Sequence, residues 1–232
     1  MNNEIFHRAE LLLGTDAMQR LAQTHVIIFG VGGVGSWCAE ALIRTGVGHL
    51  TIVDFDDVAA SNVNRQMQAT SATIGQSKVE AMKRRLREIN PTADIVAISG
   101  RYCEETADNY NFDDYDFVID AIDSLADKML LILRATACKS VTLFSSMGAA
   151  RKLDPSRVQV AEFWKVKGCP LAAALRTRFK RSAQFPSRKF KAVFSDEVLP
   201  NSNTDGPNGS LVHITAVWGM TLASLVINKV VR

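Results

Sequence analysis

The glycine-rich stretch "FGVGGVGSW", residues 29 to 37, constrains this chain more than any other part of it. It satisfies G-x-G-x-x-G at Gly30, Gly32 and Gly35 and carries an additional glycine at Gly33. An apolar run precedes it, and a segment with apolar residues at helical spacing follows it. A glycine turn between a strand and a helix presents unpaired amides at the positive end of the helix dipole. The stretch therefore predicts a phosphate-binding turn, and it fits a dinucleotide and a nucleoside triphosphate equally well.

The alternation of strand and helix patterns predicts the fold class. Apolar runs at 24–30, 49–54, 94–99, 115–123 and 141–148 alternate with helical patterns. This order is typical of an α/β fold with a Rossmann-like, doubly wound, mainly parallel sheet. After residue 150, "RVQVAEFW" and "KFKAVFSDE" predict antiparallel strands that extend the sheet, and the polar stretch 199–210 predicts a loop over a surface or site. We expect a single domain over residues 1–232, with its nucleotide-binding part in 1–150.

Composition excludes several classes of protein. The chain has 232 residues, 47% of them hydrophobic and 22% charged, which fits one globular domain. Its four cysteines include no C-x-x-C pair, which disfavours a disulfide framework and a zinc knuckle and favours a cytoplasmic protein. The polar N-terminus lacks a signal-peptide core. The apolar C-terminal stretch, interrupted by His213, predicts a buried helix that closes the sheet, although its hydropathy leaves membrane association open.

Residues downstream of the second strand favour ATP over a dinucleotide. Asp54 ends that strand 24 residues after Gly30, where an acid can bind a ribose hydroxyl. The stretch "DFDDVAASNVNRQ" then supplies Asn62 and Arg65, and Lys78 lies in the first turn of the next helix. A glycine turn handles most of the charge of a dinucleotide, whereas a triphosphate needs further cations. A forked guanidinium and a compact ammonium can stabilise the charge that develops on a pyrophosphate leaving group.

The stretch "DAIDS", residues 120 to 124, follows an apolar strand and predicts a magnesium ligand at the same edge of the sheet. Mg²⁺ prefers oxygen donors and binds through one or two carboxylates together with phosphates. We expect Asp123 to be the ligand because it lies farther along the strand exit, and Asp120 to be structural. Arg8 precedes an apolar helix near the N-terminus, and on its own it predicts only a solvent-facing arginine.

A basic segment lies in the second half of the chain. From Arg176 to Lys191 it has seven cationic residues and no acidic residue, interleaved with Phe179, Phe185 and Phe190. Cations with interspersed aromatic rings are typical of nucleic-acid binding, and a solvated basic loop is the alternative.

Four motifs over residues 30 to 124 together resemble a known family. "GVGGVGS", "D-x-D-x-V-x-x-S-N-x-N-R-Q", "G-Q-x-K-x-E" and "D-A-I-D-S" are similar to the ThiF-type adenylating domain of ubiquitin-activating enzymes and of molybdopterin- and thiamine-biosynthesis enzymes. The resemblance implies ATP- and Mg²⁺-dependent adenylation of a carboxylate. It implies that Arg8 reaches across a homodimer into the ATP site of the partner subunit. The implied catalytic residues are Arg8, Arg65, Lys78 and Asp123, with Asp123 also the metal ligand; the implied nucleotide-binding residues are Gly30, Gly32, Gly33, Asp54, Asp56, Ser61, Asn62, Asn64, Gln66 and Ser124.

Within that family the chain resembles the tRNA threonylcarbamoyladenosine dehydratases over nearly its whole length. "RTGVGHLTIVDFDDV", "DPSRVQVAEF", "CPLAAALRTRFKR" and "VFSDE" carry this resemblance, and the cysteine pairs of the zinc-binding members are missing. It implies that the enzyme adenylates and cyclises the threonyl side chain of a modified adenosine beside the anticodon. Residues 151–232 would face the tRNA and support the dimer, and sulfur-transfer or helper proteins are candidate partners. The implied tRNA-binding residues are Arg176, Arg178, Lys180, Arg181, Arg188, Lys189 and Lys191.

Three alternatives stay open on the sequence. The first is an adenylating enzyme for the C-terminus of a ubiquitin-like or sulfur-carrier protein, which the missing cysteine pairs disfavour. The second is an NAD-dependent dehydrogenase, which would leave Arg65 and Lys78 without a purpose. The third is a nucleotide-binding scaffold that forms no AMP.

Overall fold

A seven-stranded sheet lies at the centre of the protein. The computed structural model describes residues 4–201 and 206–232, so residues 202–205 of the predicted loop at 199–210 lie outside the described part. The strands are ordered β3-β2-β1-β4-β5-β7-β6. Their bounds are β1 His25–Phe29, β2 His49–Asp54, β3 Asp94–Ser99, β4 Phe117–Asp120, β5 Thr142–Ser146, β6 Gln159–Glu162 and β7 Lys191–Phe194.

The strand pairing confirms the predicted fold class. Strands β1 to β5 pair in parallel, with β2 and β4 on opposite sides of β1. The last two strands pair antiparallel with each other, as predicted. However, β7 also pairs in parallel with β5, so β6 alone runs against the rest of the sheet. The strand order reverses at β1, and open α/β sheets bind ligands in the crevice beyond the carboxyl ends of the strands at such a switch point.

Helices cover both faces of the sheet. Their bounds are α1 His7–Leu13, α2 Thr15–Gln23, α3 Gly35–Thr45, α4 Lys78–Ile89, α5 Leu125–Ala137, α6 Pro170–Ser182 and α7 Val212–Val231. Because successive side chains of a strand point to opposite faces, Val26 and Ile28 of β1 join the core with α3, α4 and α7. Ile27 and Phe29 join the core with α5 and α6.

The C-terminal helix α7 closes one face of the sheet, as the sequence predicts. Its residues Ile214, Trp218, Leu222 and Val226 form a buried stripe at helical spacing. A Cβ atom at Gly219 would lie 2.5 Å from the carbonyl oxygen of Val34, so α7 and the start of α3 approach closely. Within the described residues, α7 is the one helix whose length and composition would suffice to cross a membrane.

The N-terminal region differs from the sequence expectation in one detail. Arg8 lies within the first turn of α1 instead of ahead of it, because helix α1 begins at His7. No residue of α1 is buried, and Leu11 and Leu12 are both exposed. The four cysteines are unpaired, and Cys38 and Cys169 are buried.

Candidate functional site

A crevice of about 850 Å³ opens at the carboxyl ends of the central parallel strands. Its walls are the glycine turn after β1, the segment after β2, the exits of β4 and β5, and the first residues of α4 and α6. This is the position at which the strand order reverses. Its volume falls within the range of small-molecule sites in proteins, about 300–1,000 Å³.

The glycine turn takes its shape from contacts with its own fold. Gly30 has a φ of +89°, and a Cβ atom there would lie 2.7 Å from the carbonyl oxygen of Ala121. A Cβ atom at Gly35 would lie 1.8 Å from the carbonyl oxygen of Gly30, so neither position can hold a side chain. At Gly33 a Cβ atom would press on Thr215 of α7, at 3.1 Å from its Cγ2. Close packing of turn, strand and helices therefore explains these three glycines without a ligand.

The carboxylate of Asp54 ties the glycine turn to the second strand. It accepts hydrogen bonds from the backbone N–H of Val31 at 2.6 Å and from that of Asp56 at 2.9 Å. The end of β2 and the start of the turn are thereby fixed relative to each other. Asp54 lines the crevice at the position where the sequence places a ribose ligand.

Arg65 and Lys78 line the same crevice from two separate segments. The backbone carbonyl of Arg65 accepts a hydrogen bond from Trp37 Nε1 at 3.0 Å, which anchors this segment to α3. Lys78 is buried, and its Nζ lies 2.6 Å from Oδ2 of the half-exposed Asp56. This charge-assisted hydrogen bond to Asp56 holds the Lys78 ammonium in place at the first turn of α4.

Ser61 and Asn64 lie outside the crevice lining but hold the side chain of Arg65. Its Nη1 donates to the carbonyl oxygen of Ser61 at 2.7 Å and to Oδ1 of Asn64 at 2.9 Å. Asn64 also donates to the carbonyl oxygen of Ser210 at 2.9 Å, which links this segment to the chain just before α7. The structure thus places these two residues behind the arginine.

Two further predicted residues of this segment, Asn62 and Gln66, are buried and line the crevice. Oδ1 of Asn62 accepts a hydrogen bond from the backbone N–H of Ala59 at 3.0 Å and fixes the local turn. Gln66 accepts from Nε2 of Gln68 at 3.3 Å, and the same Nε2 donates to the carbonyl oxygen of Val31. The segment is therefore hydrogen-bonded to the glycine turn.

Asp120, the last residue of β4, and Asp123, three residues beyond it, occupy different environments. Asp120 is fully buried, and its Oδ2 lies 2.7 Å from Nζ of the equally buried Lys128 and 2.6 Å from Oγ of Ser145. Asp123 is exposed and lines the crevice, and its carboxylate has no hydrogen bond or ion pair with any residue that the structure describes. Ser124 also lines the crevice, and its Oγ caps α5. Asp120 is accordingly structural, and Asp123 is the carboxylate that is available to a ligand.

Four residues at one end of the crevice are not predicted as site residues from the sequence: Phe55, Arg101, Tyr102 and Asp127. Arg101 donates from Nε and Nη2 to Oδ2 of Asp127 at 2.9 and 2.8 Å, and its guanidinium lies 5.9 Å from the ring centroid of Phe55. Burial raises the pKa of Tyr102, whose hydroxyl has no partner within the described residues. Phe55 directly follows Asp54, and that position beside the expected ribose ligand was the available signal.

Arg8, the remaining predicted catalytic residue, lies on α1 and does not line the crevice of its own subunit. Its side chain is exposed.

The basic segment divides into anchored and exposed side chains. Arg176 donates to the carbonyl oxygen of Val166 at 3.0 Å, and Arg188 donates to several carbonyls at the end of α5, including that of Thr136 at 2.9 Å. Both guanidinium groups therefore hold the fold together. The exposed cations of the predicted set are Arg178, Lys180, Arg181, Lys189 and Lys191. Arg188 is exposed as well, although its guanidinium is hydrogen-bonded. Of the three phenylalanines expected to offer aromatic faces, Phe179 and Phe190 are buried and Phe185 is exposed.

Comparison with known proteins decides the family. The ThiF family model matches residues 6–230, which is almost the whole chain. The chain belongs to the ThiF family. It is 41% identical over 83% of its length to the tRNA threonylcarbamoyladenosine dehydratase of Bacillus subtilis, of which it covers 74%. The Escherichia coli molybdopterin-synthase adenylyltransferase is 32% identical over 77% of this chain and 70% of its own.

Solved structures of the ThiF family agree with this comparison. The chain superposes on Escherichia coli tRNA N6-threonylcarbamoyladenosine dehydratase in complex with AMP with a TM-score of 0.90 and 35% identity. The match covers 98% of this chain and 94% of that one. The same enzyme in complex with ATP gives a TM-score of 0.90 at 34% identity, with the same coverage. The predicted resemblance to the dehydratase branch and the predicted fold class are thereby confirmed.

Proposed function

We propose that this ThiF family protein is an ATP-dependent tRNA threonylcarbamoyladenosine dehydratase. The observation that carries the proposal is the match, over almost the entire chain, to an Escherichia coli dehydratase with ATP and AMP complexes. The crevice supports it, because Arg65 and Lys78 add two cations to a phosphate-binding glycine turn. The proposed substrate is the modified adenosine next to the anticodon of a tRNA.

The first proposed step is adenylation of the threonyl carboxylate. The carboxylate oxygen attacks the α-phosphorus of ATP, and the bond to pyrophosphate breaks. The amides of the glycine turn bind phosphate oxygens, and Asp54 binds the ribose. Arg65 and Lys78 stabilise the negative charge that develops on pyrophosphate. Because Ser61 and Asn64 hold the Arg65 side chain, little reorganisation is needed when that charge appears.

Magnesium fits the crevice through Asp123. No group of three or more His, Cys, Asp or Glu side chains that could hold a metal occurs among the described residues. One unpartnered carboxylate together with substrate phosphates is, however, a usual way to bind Mg²⁺. When bound there, Mg²⁺ would neutralise phosphate charge.

The second proposed step closes the ring. A nitrogen of the carbamoyl group attacks the acyl carbon of the adenylate, and AMP leaves with the former carboxylate oxygen. Together the two steps remove one molecule of water from the side chain. Nucleophile and acyl group belong to the same substrate, so proximity supplies much of the rate and no enzyme nucleophile is needed. Cys169 is buried beside Pro170, in keeping with a structural role.

The remaining features of the proposal concern assembly. Residues 1–150 would form the nucleotide-binding part of a single domain, and residues 151–232 the part that faces tRNA and supports a homodimer. In that dimer Arg8 would enter the crevice of the partner subunit, which is in keeping with its exposure on α1. A cytoplasmic location fits, because α7 packs a buried stripe against α3. Sulfur-transfer or helper proteins stay candidate partners.

Mass spectrometry of tRNA nucleosides tests this function directly. tRNA that contains threonylcarbamoyladenosine is incubated with the protein and ATP, and the nucleosides are then analysed. We expect the mass of that nucleoside to fall by one water, with one AMP formed per product. Reactions without ATP and with an Arg65→Ala variant serve as controls. An unchanged nucleoside in the presence of active ATP-binding protein would contradict the proposal.

The second candidate function is adenylation of a carrier-protein C-terminus, which the similarity to the molybdopterin-synthase adenylyltransferase favours. ATP–pyrophosphate exchange distinguishes the two. Exchange driven by modified tRNA supports the dehydratase, and exchange driven only by a protein ending in Gly-Gly supports the alternative.

A further inference from the structure

Two aromatic rings are exposed side by side near the basic segment. Trp164 is 40% exposed and Phe185 is 52% exposed, and their ring centroids lie 6.3 Å apart. Beneath them the rings of Phe163 and Phe179 are fully buried, and both contact Trp164, at 5.3 and 6.3 Å. The pair is thus the outer layer of an aromatic cluster. Each ring presents a large apolar surface to solvent, which folding alone does not require.

The backbone around Trp164 is held from both sides. Oε1 of Glu162 accepts a hydrogen bond from the backbone N–H of Trp164 at 3.2 Å. On the other side, Arg176 donates to the carbonyl oxygens of Phe163 and Val166, and its guanidinium lies 5.9 Å from the Phe163 ring centroid. Trp164 is therefore presented on a fixed turn. This also gives Arg176 a positioning role, in contrast to direct phosphate binding.

The segment that carries the pair is rich in cations, and Glu162, which directly precedes it, is the nearest acidic residue in the sequence. Between Phe163 and Lys191 the sequence contains nine lysines and arginines and no aspartate or glutamate. Five of these cations are exposed on the turn that carries Trp164 and on the second half of α6: Lys165, Lys167, Arg178, Lys180 and Arg181. These cations favour a polyanionic partner for the aromatic pair. Phosphate groups flanking flat bases have that chemistry, and single-stranded nucleic acid combines them.

Helix α6 connects the aromatic pair to the crevice. Leu171, in its first turn, lines the crevice beside Gly148. Phe179, which packs under Trp164, follows eight residues later, or about 12 Å along the helix axis. A duplex strand advances about 3.4 Å per nucleotide and an unstacked strand is more extended, so four or fewer nucleotides suffice to span that distance. If a nucleoside occupies the crevice, nucleotides a few positions away in the same strand can therefore reach the level of Trp164.

We propose that Trp164 and Phe185 form a stacking platform for unpaired anticodon-loop bases near the adenosine that enters the crevice. The platform rests on the proposed tRNA function and deepens it by naming the part of the tRNA that is recognised. Aromatic side chains stack on splayed bases in most sequence-tolerant recognition of single-stranded RNA. The flanking cations neutralise the backbone, and the aromatic rings distinguish a loop from a duplex.

The test measures binding of a synthetic anticodon stem-loop RNA to the full-length protein, with an RNA duplex as comparison. Variants are Trp164→Ala, Trp164→Phe and Phe185→Ala, with Arg178, Lys180 and Arg181 changed together to Gln as the electrostatic control. We expect Trp164→Ala to weaken stem-loop binding about tenfold and leave the dependence on salt unchanged, because one base stack is lost and no ion contact. Trp164→Phe should restore most of the affinity. The triple variant should instead flatten the salt dependence.

Fluorescence adds a readout that a merely structural role would not move. RNA should quench wild-type tryptophan emission, and the Trp164→Phe variant should bind with much of that quench lost. Equal stem-loop affinity in wild type and Trp164→Ala, or a change of oligomeric state in sedimentation of that variant, would overturn the platform. The second result would mean that a second copy of the chain covers the rings. Dehydration of modified tRNA by the wild type in the same series keeps a failure of the platform distinct from a failure of the proposed function.

Discussion

The buried ion pair between Asp120 and Lys128 gives a quantitative test of the structural role assigned to Asp120. Both side chains are completely buried, and Nζ lies 2.7 Å from Oδ2. Lys128→Met would remove the cation and leave Asp120 with only Ser145 and the backbone N–H of Ile122. An uncompensated buried charge costs about 3–5 kcal/mol. For a domain of this size each kcal/mol corresponds to about 2–4 °C, so the thermal midpoint should fall by about 6–20 °C.

A double variant separates the pair from its environment. Asp120→Asn together with Lys128→Met removes both charges and keeps an amide beside Ser145. We therefore expect it to be more stable than Lys128→Met alone. Urea unfolding of the wild type, both single variants and the double variant measures the coupling.

The same four proteins test the chemistry. Since Asp120 faces Lys128, the double variant should still form AMP from ATP and modified tRNA. Loss of AMP formation in a folded double variant would show that Asp120 acts in the reaction. A cost below about 1 kcal/mol for Lys128→Met would show that the pair is not buried as described.

Three further predictions follow from the geometry. Arg65→Ala or Lys78→Ala should abolish ATP–pyrophosphate exchange and retain the far-ultraviolet circular dichroism spectrum; normal exchange in both variants would contradict the site. Gly30→Ala should destabilise the protein more than Gly75→Ala in urea unfolding. Both glycines have a positive φ, which costs an alanine about 1–2 kcal/mol. Only at Gly30 would the added Cβ atom also lie 2.7 Å from a carbonyl oxygen. Burial raises the pKa of Glu40, but its hydrogen bonds to Arg85 and Arg44 outweigh burial and lower the pKa overall. The ionised Glu40 therefore stabilises the fold fully above its unfolded pKa of 4.5, and this contribution is lost as pH falls through the folded-state pKa. Glu40→Gln should be less stable than the wild type at pH 7, and its unfolding free energy should fall less on acidification.

The parallel strands could be predicted closely because each is a short apolar run; the central strands are buried on both faces, and the edge strand β3 is partly exposed. The apolar runs at residues 49–54 and 94–99 coincide with β2 and β3. The parallel pairing of β7 with β5 could not be predicted in the same way. Alternating apolar and polar residues indicate that one face of a strand is buried. They do not indicate which strand lies beside it in the sheet.

Within the crevice, residues at the end of a strand or within three residues of it could be placed from sequence. Gly30, Asp54 and Asp123 lie where strand ends converge, and all three line the crevice. Arg101 and Asp127 could not be placed, because their ion pair joins segments that are 26 residues apart and neither stands in a recognisable motif. The family motif groups Ser61 and Asn64 with the nucleotide ligands, whereas in the structure both contact the Arg65 side chain.

In the basic segment, a count of charged residues in the sequence also overestimates how many cations are available to a ligand. Arg176 and Arg188 look like their neighbours in sequence, yet both direct their guanidinium groups at backbone carbonyls. Carbonyls at the end of a helix have no intrahelical partner, and arginine satisfies several of them at once. The guanidinium of an arginine that packs against a helix end is therefore occupied by backbone carbonyls, although its position in the sequence does not show this. The segment has fewer cations free for RNA than its composition indicates.

The division of the chain explains how one family can activate different acids. On the proposed function, the glycine turn, Arg65 and Lys78 all bind ATP and carry no information about which carboxylate is attacked. The crevice is also lined by residues 147–150 after β5, by Leu171 of α6 and by Thr215 of α7. On the proposed function, we expect substrate choice to depend on these residues and on the Trp164 turn, which α6 connects to the crevice. Replacement of α6 and the Trp164 turn by the corresponding segments of a family member that adenylates another acid should change the acid that is adenylated and leave ATP binding intact.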